Sequence, residues 1–255
     1  MKKYKTIWLS DIHLGTRGCQ ADYLLSFLIN NEAENIYLVG DIIDGWRIMG
    51  RGKTYWPTSH NTVVQKLLRM ARAGTNIVFV TGNHDEFLRP LVSAQGGELE
   101  FGNMKIVNSS EYTSLSGLKF WIVHGDAFDG VTDYHKWAAL LGDNAYDFLL
   151  WLNIHLNRFR RLIGLPFWSI SKYLKNKTKS AINFVFKYED KITYEAKRRE
   201  YNGVICGHIH NPEIKILNDV TYINCGDWVE NCTAIVEDYD GNINIIKWTE
   251  NTVSD

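Results

Sequence analysis

A chain of 255 residues with 45% hydrophobic content carries enough apolar material for one sizeable core and excludes a disordered chain. Its formal net charge of −1 and pI of about 6.7 exclude a global basic footprint for nucleic acid, so any basic patch is local. No apolar stretch approaches the ~20 residues that span a bilayer, and the longest candidate, residues 148–156, contains Asn153 and His155.

The N-terminal Met1-Lys-Lys-Tyr-Lys5 has the charge of a signal peptide, but its apolar run Ile7-Trp8-Leu9 is cut short by Asp11 and His13 and is expected to belong to the mature protein. Residues 6–10 then read as a first strand, residues 21–31 as a helix and residues 36–39 as a second strand. Within residues 61–73, Val63, Val64, Leu67, Leu68 and Ala71 share one helical face before Gly74 stops the helix. A third strand at residues 76–81 completes a β-α-β-α-β opening, and further strands are expected at residues 120–123 and 204–206.

Between these, residues 129–200 change to long helical stretches rich in Leu, Trp, Phe, Lys and Arg, interrupted around residues 164–166. They read as a helical insertion, or cap, in an α/β core made of residues 1–128 and 201–248. Residues 213–248 read as successive strands, with Asp240-Gly241 as a hairpin turn between residues 233–237 and 242–248, and residues 249–255 as a frayed, flexible tail. The four cysteines, Cys19, Cys206, Cys225 and Cys232, lack C-x-x-C spacing and are expected to be reduced thiols of a cytoplasmic protein.

Each apolar strand of the core ends in a polar motif: Asp11-Ile-His13, Gly40-Asp41-Ile-Ile-Asp44, Gly82-Asn83-His84-Asp85, His124-Gly125-Asp126 and Gly207-His208-Ile-His210. Strand ends are where α/β sheets place their chemistry. Hard oxygen donors mixed with imidazoles suit Mn²⁺, Zn²⁺ or Fe²⁺, and a shared carboxylate bridges two ions about 4 Å apart. Any one motif alone is more often a polar turn than a ligand set; five in order reverse those odds. Of the eight histidines, five fall in the motifs, whereas His60, His135 and His155 do not and are assigned no metal role.

The order D-x-H, GDxxD, GNHD, HGD, GHxH resembles the calcineurin-like metallophosphoesterases over the whole core outside the insertion. The resemblance implies a layered sandwich of two mixed β-sheets flanked by helices, with a helical cap. It also implies two divalent ions, one held by Asp11, His13, Asp41 and His210 and a second by Asp41, Asn83, His124 and His208, with Asp41 as the bridge. Asp44, Asp85 and Asp126 are expected to orient ligand histidines or to anchor loops. His84, beside Asn83, is expected to act in catalysis, stabilising phosphate charge or protonating the leaving oxygen; the alternative is a structural hydrogen bond.

His124-Gly-Asp126 followed by a helical insertion, with the closing Gly207-His-Ile-His210, is similar to the UDP-2,3-diacylglucosamine pyrophosphatases of lipid A biosynthesis. That likeness implies Mn²⁺-dependent cleavage of a lipid-linked nucleotide sugar, in which a hydroxide on the metals releases UMP and the acylated sugar 1-phosphate. It makes Trp46, Arg47, Glu86 and Arg89 candidates for holding the diphosphate. One departure stands out: the pyrophosphatases carry Arg where this chain has His84, which keeps phosphodiester and phosphomonoester substrates open. A non-catalytic interaction module is the remaining alternative, disfavoured because every ligand position is filled.

Residues 148–188 contain no acidic residue, while Arg158, Arg160, Arg161, Lys172, Lys175, Lys177, Lys179 and Lys187 lie among Trp151, Phe159, Phe167, Trp168 and Tyr173. This surface is read either as a contact with anionic lipid at the inner face of the cytoplasmic membrane or as ordinary packing of the cap with a solvated charged face. Near-neutral overall charge argues against a nucleic-acid partner.

Overall fold

The computed structural model describes residues 1–50, 54–129, 143–165, 168 and 179–248. Its strands are β1 (Lys2–Leu9), β2 (Asn31–Val39), β3 (Asn76–Val80), β4 (Glu98–Phe101), β5 (Met104–Val107), β6 (Ser110–Thr113), β7 (Lys119–Ile122), β8 (Gly203–Cys206), β9 (Glu213–Leu217), β10 (Val220–Asn224), β11 (Thr233–Glu237) and β12 (Ile243–Lys247). Its helices are α1 (Ala21–Asn30), α2 (Gly45–Met49), α3 (Thr58–Arg72), α4 (Arg89–Ala94), α5 (Asp143–Leu162) and α6 (Lys179–Arg198).

The strands form a seven-stranded sheet, β12-β11-β1-β2-β3-β5-β4, and a five-stranded sheet, β6-β7-β8-β10-β9. Side-chain alternation within single strands sets the layering. Ile7 and Leu9 of β1, with Ile36, Leu38, Ile77 and Phe79 of its neighbours, face Leu24, Phe27 and Leu28 of α1 and Val63, Leu67 and Met70 of α3. Trp8, Tyr37, Val39, Val78 and Val80 point the other way and meet Phe120, Ile122, Ile205 and Ile223 of the second sheet. The outer face of that sheet, through Trp121, Val204, Cys206 and Tyr222, is covered by Tyr188, Ile192 and Ala196 of α6. Strands buried on both faces read as continuous apolar runs, which is why residues 6–9 show no polar alternation.

The core is therefore the two-sheet sandwich that the motif order implies. Three differences of detail have physical causes. Asn31, expected to end a helix, opens β2, pairing with Lys2. The four-residue β4, β5 and β6 were not expected, because β4 and β6 are largely exposed and no apolar run announces them. Glu237 pairs with Ile243, so residues 238–242 form the hairpin loop, longer than a two-residue Asp240-Gly241 turn. The Asp238 carboxylate organises it by accepting the N–H groups of Asp240 and Asn242.

Within residues 129–200, the second half of α6 is a layer of the core, since Tyr188, Ile192 and Ala196 are buried against the five-stranded sheet. No helix of the described residues is long and apolar enough to cross a membrane. His135, Phe167, Lys172, Tyr173, Lys175, Lys177 and the tail at residues 249–255 lie outside the described residues, as does the side chain of Lys179.

Candidate metal centre and active site

Strands β1, β2 and β3 are parallel, and so are β7 and β8. Their C-terminal ends send five loops to one edge of the sandwich. Asp11, His13, Asp41, His208 and His210 adopt left-handed φ of 52°, 53°, 55°, 69° and 54°. For residues other than glycine this conformation costs about 1–3 kcal/mol each and persists only where surrounding structure enforces it. Here the enforcement is a set of loop hydrogen bonds, from Asp11 N–H to the Gly40 carbonyl (3.0 Å), from His13 N–H to that of Asp41 (2.9 Å) and from Gly207 N–H to that of His124 (3.1 Å). Two glycines are required by close approach: a Cβ on Gly82 would collide with the Asp41 carboxylate, and one on Gly207 with Asp11 and Ser10.

The loops gather the candidate ligands as two groups, with a third overlapping them through His84. Asp11, His13 and His210 bring ligand atoms within 4.8 Å of one another, as do Asp41, His124 and His208, and as do His13, Asp41 and His84. His210 Nε2 lies 3.1 Å from Asp11 Oδ1, and His124 Nε2 lies 3.3 Å from Asp41 Oδ2. His13 Nε2 is 3.9 Å from Asp11 Oδ1 and 3.8 Å from Asp41 Oδ2, so Asp41 stands between the groups. Each carboxylate is fixed by one oxygen and presents the other: Asp11 Oδ2 accepts the His208 N–H (2.9 Å), and Asp41 Oδ1 accepts the His84 N–H (2.8 Å).

The donor set fits divalent cations. Asp11 Oδ1, Asn83 Oδ1 and His124 Nε2 are buried without a hydrogen-bond partner, a concentration of orphaned groups that ions would satisfy. His124 Nδ1 lies 3.0 Å from the Val39 carbonyl; a carbonyl only accepts, so Nδ1 carries the proton and Nε2 offers its lone pair to the cluster.

The remaining motif carboxylates have distinct jobs. Asp85 accepts the N–H groups of Ile42 (3.1 Å), Ile43 (2.8 Å) and Gly82 (3.3 Å), clamping two site loops together. Asp44 caps α2 by accepting the Arg47 N–H (2.9 Å), while its other oxygen lies 3.0 Å from His84 Nδ1 and 3.4 Å from His13 Nδ1. The His84 approach is short but off the direction of a well-formed hydrogen bond, an electrostatic contact above all. Asp126 receives a terminal nitrogen of Arg89 on both oxygens (3.0 and 2.9 Å), and Arg89 also reaches Thr81.

His13, Asp41, Asn83, His84, His208 and His210 line one open cleft with Trp46, Asp126 and Asp129. Trp46 covers His84, ring centroids 4.0 Å apart, and donates its indole N–H to Glu86 (2.9 Å). Arg47 is engaged through its backbone, and Arg89 is held by Asp126 rather than aimed freely at the cleft. Asp129 is the residue that sequence reasoning missed; its carboxylate lies 2.8 Å from His208 Nε2, and the only signal was an acidic residue three places beyond Asp126. His60 lies outside the cleft, where its Nδ1 accepts the Gly15 N–H (3.0 Å). His155 packs against Trp151 of α5, the rings tilted at 60° with centroids 4.4 Å apart.

Electrostatics match a cage built for positive charge. Burial opposes ionisation of Asp11, yet the charges of His210 and His124 draw its carboxyl down to about 2. Asp41 is likewise held well below the carboxylate range: burial works against it, and His124 and His13 outweigh burial. Burial disfavours the charged His124 ring, but Asp41 and Asp11 raise it to about 10. Burial, reinforced by Asp41, pushes Asp85 up to about 7 despite its backbone donors.

A two-sheet sandwich with five converging motifs and a buried carboxylate–imidazole cage defines a metallophosphoesterase, and the calcineurin-like phosphoesterase family model matches residues 4–212. The chain belongs to that family and is a metal-dependent phosphoester hydrolase. Among curated relatives it is similar to the UDP-2,3-diacylglucosamine hydrolase of Histophilus somni (strain 2336), 26% identical over 230 residues, covering 88% of this chain and 92% of that protein. The enzyme of the same name from Neisseria meningitidis serogroup A is 26% identical over 248 residues, covering 92% of this chain and 95% of its own length.

Proposed function

We propose that this hydrolase cleaves the diphosphate of a lipid-linked nucleotide sugar of the UDP-2,3-diacylglucosamine kind, giving UMP and the acylated sugar 1-phosphate. The observation that carries the reading is that similarity to enzymes of that name runs through the cleft and the insertion alike, over 88% and 92% of the chain. Asp11, His13, Asp41 and His210 hold one ion; Asp41, Asn83, His124 and His208 hold the other; Mn²⁺ is the ion proposed. Two such ions supply Lewis acidity toward the phosphate and lower the pKa of a water. His84 stabilises charge on the phosphate or delivers a proton to the leaving oxygen. Trp46, Arg47 and Glu86 border the substrate at the mouth of the cleft, and Arg89 acts there through Asp126.

The insertion supplies the contact with lipid, through the described residues of α5 and the turn that follows it. Trp151, Phe159, Leu162 and Ile163 of the α5 region are exposed, beside the exposed Arg158 and Arg161. Basic side chains near anionic headgroups contribute on the order of 1 kcal/mol each. That chemistry holds the enzyme to the inner face of the cytoplasmic membrane, where an acylated substrate resides.

A second reading is favoured by His84 itself. An imidazole backed by Asp44 at 3.0 Å can release a proton, which matters most for a poor alkoxide leaving group and suits a phosphodiester or phosphomonoester. The deciding assay is UMP release from UDP-2,3-diacylglucosamine by Mn²⁺-loaded enzyme in detergent, run beside bis-p-nitrophenyl phosphate. Turnover of the simple diester with the lipid substrate left intact would remove the first reading and keep the second.

A further inference from the structure

Asp129 belongs to none of the five motifs, yet its carboxylate reaches a histidine of the cage. Its Oδ2 lies 2.8 Å from His208 Nε2, with the Asp129 and His208 side chains only 15% and 6% exposed. The His208 backbone N–H is simultaneously tied to Asp11 Oδ2 at 2.9 Å. On another side of the ring, Tyr188 of α6 lies with its centroid 6.1 Å from that of His208, and its hydroxyl approaches the Gly207 carbonyl at 3.5 Å. His208 is thus gripped by the two ends of the segment between β7 and β8, Asp129 at its start and Tyr188 near its close.

An imidazole that donates one ring N–H to a carboxylate keeps a lone pair on the other nitrogen only. We propose that Asp129 is a positioning residue for the second ion: it holds His208 as the Nε2–H tautomer, so that Nδ1 is the atom offered to the metal beside Asp41 and His124. This rests on the two-ion reading of the cleft. The assignment is the mirror of His124, where Nδ1 is the nitrogen held, by the Val39 carbonyl, and Nε2 the one offered. Carboxylates that orient ligand histidines characteristically change metal affinity by 10–100-fold when removed.

The test is calorimetric titration of EDTA-stripped, full-length protein with Mn²⁺, compared for wild type, Asp129→Ala and Asp129→Asn. The expected result is two ions in wild type, a 10–100-fold loss of affinity for one of them in Asp129→Ala, and an intermediate loss in Asp129→Asn, whose amide oxygen still accepts the Nε2–H. Wild-type affinity for both ions in Asp129→Ala, or an equal loss of both, would overturn the assignment. Wild type that takes up no ion would overturn the two-ion reading as well, a separate and recognisable failure. Should Asp129→Ala not fold, the imidazole ¹⁵N spectrum of Zn²⁺-loaded wild type decides: His208 protonated on Nε2 supports the proposal, and His208 protonated on Nδ1 overturns it.

Discussion

Asp44 Oδ2 lies 3.0 Å from His84 Nδ1, and the same oxygen lies 3.4 Å from His13 Nδ1. One carboxylate therefore places its charge against both a candidate ligand and the candidate proton donor. His84→Ala is expected to lower kcat by about 10²–10⁴-fold while metal content stays at two ions per chain. Asp44→Ala is expected to lower kcat and also weaken ion binding, through His13. Steady-state kinetics paired with elemental analysis separates the two variants; equal metal loss in both would contradict the division of roles.

His84→Arg restores the residue that the resembling pyrophosphatases carry. Arg neutralises a diphosphate without proton transfer. The variant is expected to gain in the ratio of diphosphate to alkyl phosphodiester hydrolysis, measured as relative kcat/KM on the two substrates. An unchanged ratio would show that His84 does not select the substrate.

Asp41 stands between the two groups, with His124 at 3.3 Å and His13 at 3.8 Å. Asp41→Ala is expected to abolish activity and to remove both ions, whereas His210→Ala is expected to spare the ion on the His124 side. Mass spectrometry under native conditions counts the ions directly.

The metal-free protein should have a defined pH profile. His124 is raised from 6.5 to about 10, so the stability it contributes is fully present below pH 6.5 and lost as pH rises through 10. Asp85, raised from 3.8 to about 7, acts in the same sense: its contribution is present below pH 3.8 and is lost as pH rises through 7. Asp11, lowered from 3.8 to about 2, contributes above pH 3.8 and loses its contribution as pH falls through 2. EDTA-treated protein is therefore expected to melt at a higher temperature at pH 5 than at pH 9. Ions displace the His124 proton, so Mn²⁺ uptake at pH 7 should release protons and tighten as pH rises.

Gly82→Ala and Gly207→Ala place a methyl group against the Asp41 and Asp11 carboxylates. Each is expected to destabilise the fold by about 1–3 kcal/mol and to weaken ion uptake, because the cage must open to admit it. Gly74→Ala, whose added Cβ meets no atom within 4 Å but whose φ is +109°, gives the contrasting case of backbone strain alone: it is expected to cost stability and leave ion uptake unchanged.

Much of this architecture is legible from sequence because the inner strands are buried on both faces and end in short polar motifs. Ile7-Trp8-Leu9 announces β1, and Asp11 and His13 follow it directly. Less legible is what depends on distance in space: Asp129 and His208 lie 79 positions apart and meet only in the folded structure, and no spacing encodes that meeting. Arg89 looks like a phosphate-binding residue beside Gly82-Asn83-His84-Asp85, but a bidentate contact with Asp126 engages it, an interaction between residues 37 positions apart. The edge strands β4 and β6 escaped because exposure removes the apolar pattern by which strands are read.

Asp11, His13, Asp41 and Asn83 follow strands of the seven-stranded sheet, whereas His124, His208 and His210 follow strands of the five-stranded sheet. In the proposed assignment each ion draws ligands from both sheets, so both sites are complete only once the sheets have docked, and ion uptake is expected to report a finished fold. The same division makes the protein a subject for fragment complementation, with the turn at Gly117 between β6 and β7 as the place to cut: β1 pairs with β11 and β6 with β7 across that cut, so activity returning on mixing is expected to report the rejoining of both sheets.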